Sequence, residues 1–207
     1  MRLYNLRIMD YRKIGNIFFK CRSYTPLPLV LMMVLFINPT TTSVLIGLLI
    51  AVAGESIRLW AVSYAGSETR VTSGVGGTYL VTQGPYGIVR NPLYWGNIFI
   101  YLGMGVMSNA LFPYLQIFAL LYFLFQYYCI ILSEEDFLRG KFKGVFEKYY
   151  NSVNRFIPSF GRVPAEINSN LGINFKAGFV SEKRTLQSFF ITMIIILFFY
   201  FTGIRIF

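Results

Sequence analysis

The sequence of 207 residues contains no histidine and only two cysteines, Cys21 and Cys129. Without histidine, a Ser-His-Asp triad, a histidine general base and a histidine-ligated zinc or haem are excluded. Two cysteines cannot supply the four ligands of a structural zinc site. Both lie beside apolar segments, so we expect buried or lipid-facing thiols and no metal cofactor.

Charged residues are also scarce. They make up 14% of the chain, whereas a soluble domain carries about a quarter. Hydrophobic residues make up 55% and aromatic residues 18%. This composition excludes a disordered chain and a disulfide scaffold, and it argues against an ordinary soluble enzyme. It predicts a polytopic membrane protein.

Five apolar segments predict an all-α membrane helix bundle with about five transmembrane helices. They cover approximately Tyr24–Ile37, Ser43–Ala65, Leu93–Met107, Leu111–Leu132 and Ser188–Ile204. A helix needs about 20 residues to cross the hydrocarbon core, so the second and fourth are long enough and the first and third look short. The composition of Glu134–Tyr150 predicts a further helix, and residues 167–184 are expected on the membrane surface.

Apart from Arg58 and Arg205, the basic residues behind the net charge of +10 lie on alternate connections between the segments. Residues 1–23 hold six Lys or Arg, residues 66–91 hold two and residues 133–187 hold nine, whereas the turns at 38–42 and 108–110 hold none. The positive-inside rule places the N-terminus and both long loops in the cytoplasm. We expect the membrane to be a bacterial or archaeal inner membrane. Anionic headgroups rather than nucleic acid are the expected partners of these charges.

Two opposite charges fall inside the second apolar segment. Glu55 and Arg58 are three residues apart and therefore share one helix face. Charges at membrane depth are costly and usually face the bundle or a cavity. We expect a mutually neutralising pair; the alternative is that the two residues form the wall of a pocket.

The connection that enters the third segment carries several polar and aromatic signals. Gly84-Pro85 predicts a turn, and Asn91-Pro92 predicts a helix start with Asn91 as the N-cap. The free amides of a helix start suit an anionic group. Arg90 adds a cation, and Tyr86 and Tyr94 add rings and hydroxyls. The alternative is a membrane-entry loop with an aromatic belt and a snorkelling arginine.

Three consecutive acids, Glu134-Glu135-Asp136, stand where the fourth segment ends. A helix C-terminus disfavours each exposed carboxylate by about 0.3–1 kcal/mol, and such local conflicts are typical of functional sites. The alternative is that the helix continues to Tyr150 and the acids face water. The hairpin of residues 93–132 returns the chain to the same face, so Arg90-Asn91 and Glu134-Glu135 are predicted to meet. Their pocket suits a zwitterionic ligand with a flat ring.

Short motifs follow one another in order between residues 60 and 160. They are Ala65-Gly66-Ser67, Thr78–Val81, Gly84-Pro85-Tyr86, Arg90–Tyr94, Gly96, Glu134-Glu135, Leu138, Phe142, Tyr149, Val153 and Arg155–Pro158. In this order and spacing they resemble the isoprenylcysteine carboxyl methyltransferase and phospholipid methyltransferase family, which are integral-membrane enzymes using S-adenosylmethionine. The resemblance implies a methyltransferase core at residues 66–160, preceded by a basic segment with two spans (1–65) and followed by an interfacial linker and a last span (161–207).

The resemblance also implies the site residues and the ligands. S-adenosylmethionine is the implied cofactor, held in a cytoplasmic pocket of loops and a C-terminal helical segment. The implied cofactor contacts are Thr78, Tyr79, Leu80, Val81, Tyr86, Asn91, Pro92, Leu93, Tyr94 and Glu134, and the candidate catalytic residues are Arg90 and Glu135. Two positions depart from the family. Its histidine is Asn91 here, which cannot titrate near neutral pH, and a substrate-linked arginine of eukaryotic members is Ile130.

The expected function is methyl transfer to a carboxylate or amine of a membrane-embedded lipid or lipidated small molecule or peptide. One alternative is an NADPH-dependent membrane reductase of the sterol or steroid type, which shares an arginine-x-proline-x-tyrosine segment. Another is a non-catalytic scaffold or small transporter. The oligomeric state stays open.

Overall fold

A computed structural model describes residues 13–66, 79–161, 163–168 and 172–207, and every regular element within these ranges is helical. Helix α1 lies within residues 13–21, and the elements after it are α2 (Leu27–Leu35), α3 (Thr41–Ala65), α4 (Pro92–Ser108), α5 (Tyr114–Ser152) and α6 (Phe175–Thr202). Short 3-10 turns occupy Gly84–Gly87 and Ala165–Ile167. The predicted all-α class is confirmed.

The number of full-length spans is lower than the five that the sequence predicts. In the described part of the chain, α3, α5 and α6 are long and apolar enough to cross a membrane. Helix α4 has 17 residues and α2 has 9. At a rise of 1.5 Å per residue they are about 25 and 14 Å long, which is shorter than the hydrocarbon core of about 30 Å.

Two predicted helix boundaries are wrong. Helix α5 does not end near Leu132 but continues for 39 residues to Ser152, with non-helical dihedral angles at Lys143. Helix α6 begins at Phe175, so much of the predicted surface segment 167–184 belongs to the last helix. In both cases an apolar helix continues into a polar, charged stretch. The boundaries were predicted from the apolar pattern, which stops where that stretch begins.

Local side-chain chemistry explains where several helices begin. Thr40 and Ser43 form a reciprocal capping box at the start of α3, with N···O distances of 2.9 and 3.1 Å. The side chain of Asn174 accepts a hydrogen bond of 2.9 Å from the amide of Ala177 and caps α6. Helix α4 starts with Pro92, as predicted.

Helices α3 and α4 approach each other closely because glycines face each other at their crossing. A Cβ atom on Gly54 would lie 2.7 Å from the carbonyl oxygen of Gly96, and one on Gly96 would lie 2.8 Å from that of Gly54. Between membrane helices, backbone approach through small residues supplies packing energy that apolar burial does not. This contact fixes how the charged residues of α3 face α4.

The hydrogen bonds between helix ends define the two ends of the bundle. At one end, the Asn38 amide donates to the Ser108 carbonyl at 2.9 Å, and the hydroxyls of Thr41 and Tyr200 are 2.9 Å apart. At the other end, the Asn174 amide donates to the carbonyl of Ser63 at 2.8 Å. The described parts of both long connections lie at this second end, which we call the loop end.

Candidate active site at the loop end

The α4–α5 hairpin brings the two polar segments together, as the sequence predicts. The guanidinium of Arg90 donates to Oε1 of Glu135, with its Nε at 3.1 Å and its Nη2 at 3.0 Å. The side chains of Arg90 and Glu135 are only 7% and 6% exposed. Their ion pair therefore lies in the interior, between the start of α4 and the middle of α5.

A second arginine also pairs with Glu135. Arg155 donates from Nε to Oε1 at 3.1 Å and from Nη2 to Oε2 at 2.5 Å. The hydrogen bond to Glu135 is the main cause of the raised pKa of Arg155. Arg90 also donates to the carbonyl oxygens of Tyr150 and Val153, at 2.7 and 2.5 Å. The hydrogen bonds of the candidate catalytic residues Arg90 and Glu135 thus hold the end of α5 and the chain after it in place.

Glu134 has different surroundings from its neighbour. The hydroxyl of Tyr94 donates to its Oε1 at 2.8 Å. The Tyr94 ring stacks on Tyr127, with centroids 4.6 Å apart. Oε2 of Glu134 has no hydrogen bond to another described residue, and the side chain is partly exposed. Consecutive helical residues point about 100° apart, which is how adjacent acids acquire separate roles.

The second sequence-based alternative is right about the helix and wrong about the acids. As it predicted, the helix does not end at the acids but continues past Tyr150, to Ser152. The acids do not simply face water, because Glu135 is buried and Glu134 is half-buried. Asp136 is 27% exposed and lies 3.7 Å from Arg139. Compensation by arginines from other segments, rather than solvent, accounts for the buried charge.

The start of α4 is left without a side-chain cap. Asn91 occupies the N-cap position, but its side-chain amide donates to the carbonyl of Arg155 at 3.3 Å instead of accepting from the first turn. The first-turn amides of Leu93 and Tyr94 carry the partial positive charge of a helix N-terminus. An anionic group is the natural ligand for such an uncapped start.

The segment after α5 forms a cover over the connection that precedes α4. The indole of Trp95 donates to the Phe156 carbonyl at 2.8 Å, and the Ser159 amide donates to the Ile88 carbonyl at 2.7 Å. The hydroxyl of Tyr149 donates to the carbonyl of Tyr86 at 2.7 Å.

Burial raises the pKa of Tyr86. Nearby Arg58 lowers this pKa, and Glu134 and Glu182 raise it further, so the Tyr86 hydroxyl stays neutral.

Leu80, from the predicted cofactor segment before the Gly84–Gly87 turn, does not pack in the same cluster as Tyr94. Leu80 is buried in a small apolar cluster with Phe146, Tyr149, Val153 and Ile167, away from the main core on which Tyr94 packs. Tyr79 is 42% exposed, and Val81 is half-buried. Thr78 lies outside the described residues. A cofactor role for Thr78–Val81 stays a prediction.

The predicted pair of Glu55 and Arg58 is wrong. Arg58 instead donates from Nη2 to Oε1 of Glu182 at 2.8 Å and from Nη1 to Oδ1 of Asn97 at 2.5 Å. Both carboxylate oxygens of Glu55 are buried without a hydrogen-bond partner in the described part of the chain. The partner of Arg58 stands on α6, 124 positions later, at a separation that helix periodicity cannot reveal.

Sequence reasoning also missed residues that shape the site from other elements. Ser133 donates to Oδ1 of Asn16 at 2.7 Å, which packs α1 against α5 and brings Arg22 into the electrostatic neighbourhood of Glu134. Tyr127 supplies the stacking partner of Tyr94. The basic composition of the N-terminal segment was the only sequence signal for Arg22, and Tyr127 had none.

Together these features define a helical integral membrane protein with a polar site at one end of its bundle. The model of the family described as phospholipid methyltransferase matches residues 42–144, about half of the chain, and the protein belongs to this family. The match includes α3, the turn at Gly84, the start of α4 and Glu134-Glu135. It confirms the resemblance that the motifs indicated and makes the protein a member of a methyltransferase family.

Two curated proteins are similar to this chain over 114 residues, each with 32% identity. They are the cobalt-zinc-cadmium resistance protein CzcN of Cupriavidus metallidurans and the nickel-cobalt-cadmium resistance protein NccN of Alcaligenes xylosoxydans xylosoxydans. The aligned region is 55% of this chain and 47% of each relative, so the match spans about half the length of these proteins. No solved structure matches the chain.

Proposed function

We propose that the protein transfers a methyl group from S-adenosylmethionine to a carboxylate or amine of an amphipathic acceptor in the membrane. Membership of the phospholipid methyltransferase family supports the reaction class. The observation that carries the site assignment is the hydrogen bond of 2.8 Å between Tyr94 and Glu134 beside the uncapped start of α4.

The residues at this site fit the chemistry of the cofactor. S-adenosylmethionine has a carboxylate, an ammonium group, ribose hydroxyls and an adenine ring. The uncapped start of α4 at Asn91–Tyr94 suits the carboxylate, and Glu134 has an oxygen available to a hydroxyl or ammonium donor. Tyr86 and Tyr94 offer aromatic surface. Thr78–Val81 complete the proposed set on the strength of the resemblance. When bound, the cofactor supplies a methyl group on a positively charged sulfur.

We assign the network of Arg90, Glu135 and Arg155 to positioning. It ties the start of α4 to the segment after α5, and its three charged side chains have their hydrogen bonds within the protein. Holding reactants in a fixed geometry contributes several kcal/mol, up to about 7–11, to lowering a barrier. A rigid frame around Glu134 serves that purpose, and the cover segment keeps water from the site.

The acceptor is expected to enter sideways from the bilayer, because the outer surfaces of α3, α5 and α6 are rich in exposed apolar side chains. The alternating distribution of Lys and Arg supports a cytoplasmic loop end, where the cofactor is found, and we propose that the chain lies in an inner membrane. The acceptor is then a lipid or lipidated molecule whose polar group reaches the site from the cytoplasmic leaflet.

Transfer of labelled methyl into a native lipid extract tests the proposal. The full chain in nanodiscs should label a lipid product from S-adenosylmethionine, and Glu134→Ala should reduce the labelling while Glu147→Ala leaves it unchanged. Glu147 is the matched control because it lies on the same helix, 46% exposed, in an ion pair with Arg139. Saturable NADPH binding with no binding of the methyl donor would identify a reductase instead. Binding of neither ligand would leave the scaffold or transporter.

A further inference from the structure

Glu55 is a buried carboxylate without a hydrogen-bond partner in the part of the chain that the structure describes. The residue is 8% exposed, and neither of its carboxylate oxygens accepts a hydrogen bond from the described residues. Among the buried side-chain atoms without a partner, the others belong to Gln116 and Gln126, so Glu55 is the ionisable one. It stands ten residues before the end of α3, about 15 Å into the bundle from the loop end.

Among the described residues, Arg58 is the cation that acts on Glu55, and most of its N–H groups already have acceptors. Arg58 makes four hydrogen bonds of 2.8–3.4 Å to Glu182 and Thr185, in addition to its bond to Asn97. Glu182 is 1% exposed. Two carboxylates against one guanidinium leave the cluster with a net charge of −1 when all three groups are ionised. An unpaired buried charge is strongly unfavourable, so the cluster favours either protonation of a carboxyl group or the binding of a positive group.

The cluster adjoins the proposed cofactor site. Arg58 donates to Asn97, three residues after Tyr94 on α4, and the charges of Arg58, Glu182 and Glu134 all act on Tyr86. The close α3–α4 contact at Gly54 and Gly96 places Glu55 one residue from the crossing that carries Arg58 past the start of α4. Glu55 therefore lies beside the crossing of α3 and α4 that brings Arg58 to the start of α4.

We infer that Glu55 is the specificity-determining residue of the acceptor site and binds the protonated amine of a lipid head group. This inference rests on the proposed function and narrows its acceptor from a carboxylate or amine to an amine. A carboxylate acceptor would meet the repulsion of Glu55 and find most of the donors of Arg58 already occupied.

Glu55 also gives the amine a way to become nucleophilic. The N–H bond of the ammonium breaks and an O–H bond forms on a carboxylate oxygen of Glu55. The nitrogen keeps the electron pair and can accept a methyl group, and the carboxylate becomes a neutral acid. The transfer removes both charges from a buried site, which favours it there.

The test compares Glu55→Gln with the wild type and with Glu166→Gln as a charge-neutralising control. Glu166 is exposed and pairs with Lys148, and it lies outside both the Glu55–Arg58–Glu182 cluster and the proposed cofactor contacts. The full chain is reconstituted in phosphatidylglycerol nanodiscs with or without phosphatidylethanolamine. Donor affinity is measured by calorimetry, transfer by labelled methyl into the amine lipid or a prenylcysteine carboxylate, and stability by thermal unfolding.

In Glu55→Gln, kcat/KM for the amine lipid should fall about 100-fold or more, the usual effect of losing an acid–base group. Donor affinity should stay within about twofold of wild type, since this residue is placed outside the cofactor contacts. The amine lipid should raise the Tm of wild type and Glu166→Gln but not of Glu55→Gln. Without the amine lipid, Glu55→Gln should be at least as stable as wild type, because an unpaired buried charge has been removed.

Several results would overturn the inference while leaving the proposed function intact. These are donor binding with label in the carboxylate acceptor alone, donor binding with no label in the amine lipid, unchanged amine transfer by Glu55→Gln, or a Glu55→Gln chain that fails to fold. A wild-type protein that does not bind the methyl donor would instead refute the proposed function itself, and this inference with it.

Discussion

Replacing Glu135 by glutamine should destabilise the protein strongly, because it leaves two arginines facing a neutral group. Removing one member of a buried ion pair costs about 3–5 kcal/mol. Arg90, 7% exposed, would keep its bonds of 2.7 and 2.5 Å to the carbonyls of Tyr150 and Val153, and Arg155 is 21% exposed and can turn to solvent. These remaining interactions place the expected loss near the lower limit, at about 3 kcal/mol.

A loss of this size corresponds to a fall in Tm of about 6–12 °C for a chain of this length. The measurement is thermal unfolding of the full chain in nanodiscs at one fixed scan rate. Glu147→Gln is the control, since Glu147 and Arg139 are 46% and 42% exposed and such surface pairs contribute about 0–1 kcal/mol. The double variant Arg90→Gln/Glu135→Gln should recover part of the loss, because one of the unpaired charges is gone. Equal Tm values for Glu135→Gln and Glu147→Gln would refute the reasoning.

Two further substitutions test the packing and the cofactor contacts. Gly96→Ala places a methyl group against the Arg58 side chain, so it should cost about 1–3 kcal/mol and lower Tm, whereas Gly140→Ala, whose Cβ meets no atom within 4 Å, should be neutral or stabilising. Unchanged Tm for Gly96→Ala would argue against the close α3–α4 contact. Tyr94→Phe keeps the stacked ring but removes the hydrogen bond to Glu134, which is worth about 1.5–3 kcal/mol. Calorimetry should therefore show donor affinity lowered about tenfold or more. Wild-type affinity in Tyr94→Phe would count against this contact.

Local signals in the sequence were sufficient for the parts of the site that lie close to helix ends. The Asn91-Pro92 pair marked the start of α4, and Gly84-Pro85 marked a turn that the structure contains. The short hairpin then required Arg90 and Glu135 to meet, and they form an ion pair. Each of these predictions depends on chain geometry over a few residues or on the return of one hairpin.

Contacts between distant helices could not be predicted in the same way. The pairing of Arg58 with Glu182 depends on how α6 packs beside α3, and periodicity within α3 instead indicated Glu55 as its partner. The continuation of α5 through three acids depends on Arg90 and Arg155 arriving from other segments to neutralise Glu135. Hydropathy locates spans but carries no information about the rotation of each helix against its neighbours.

Calorimetric titration of S-adenosylmethionine into the full chain in nanodiscs tests the central claim most directly. The account predicts saturable binding to wild type, affinity lowered about tenfold or more in Glu134→Ala, and wild-type affinity in Glu147→Ala. Of the two substitutions, only Glu134→Ala removes a proposed charge-assisted hydrogen bond to the cofactor. The absence of saturable binding to wild type, or equal affinities for the two variants, would contradict it.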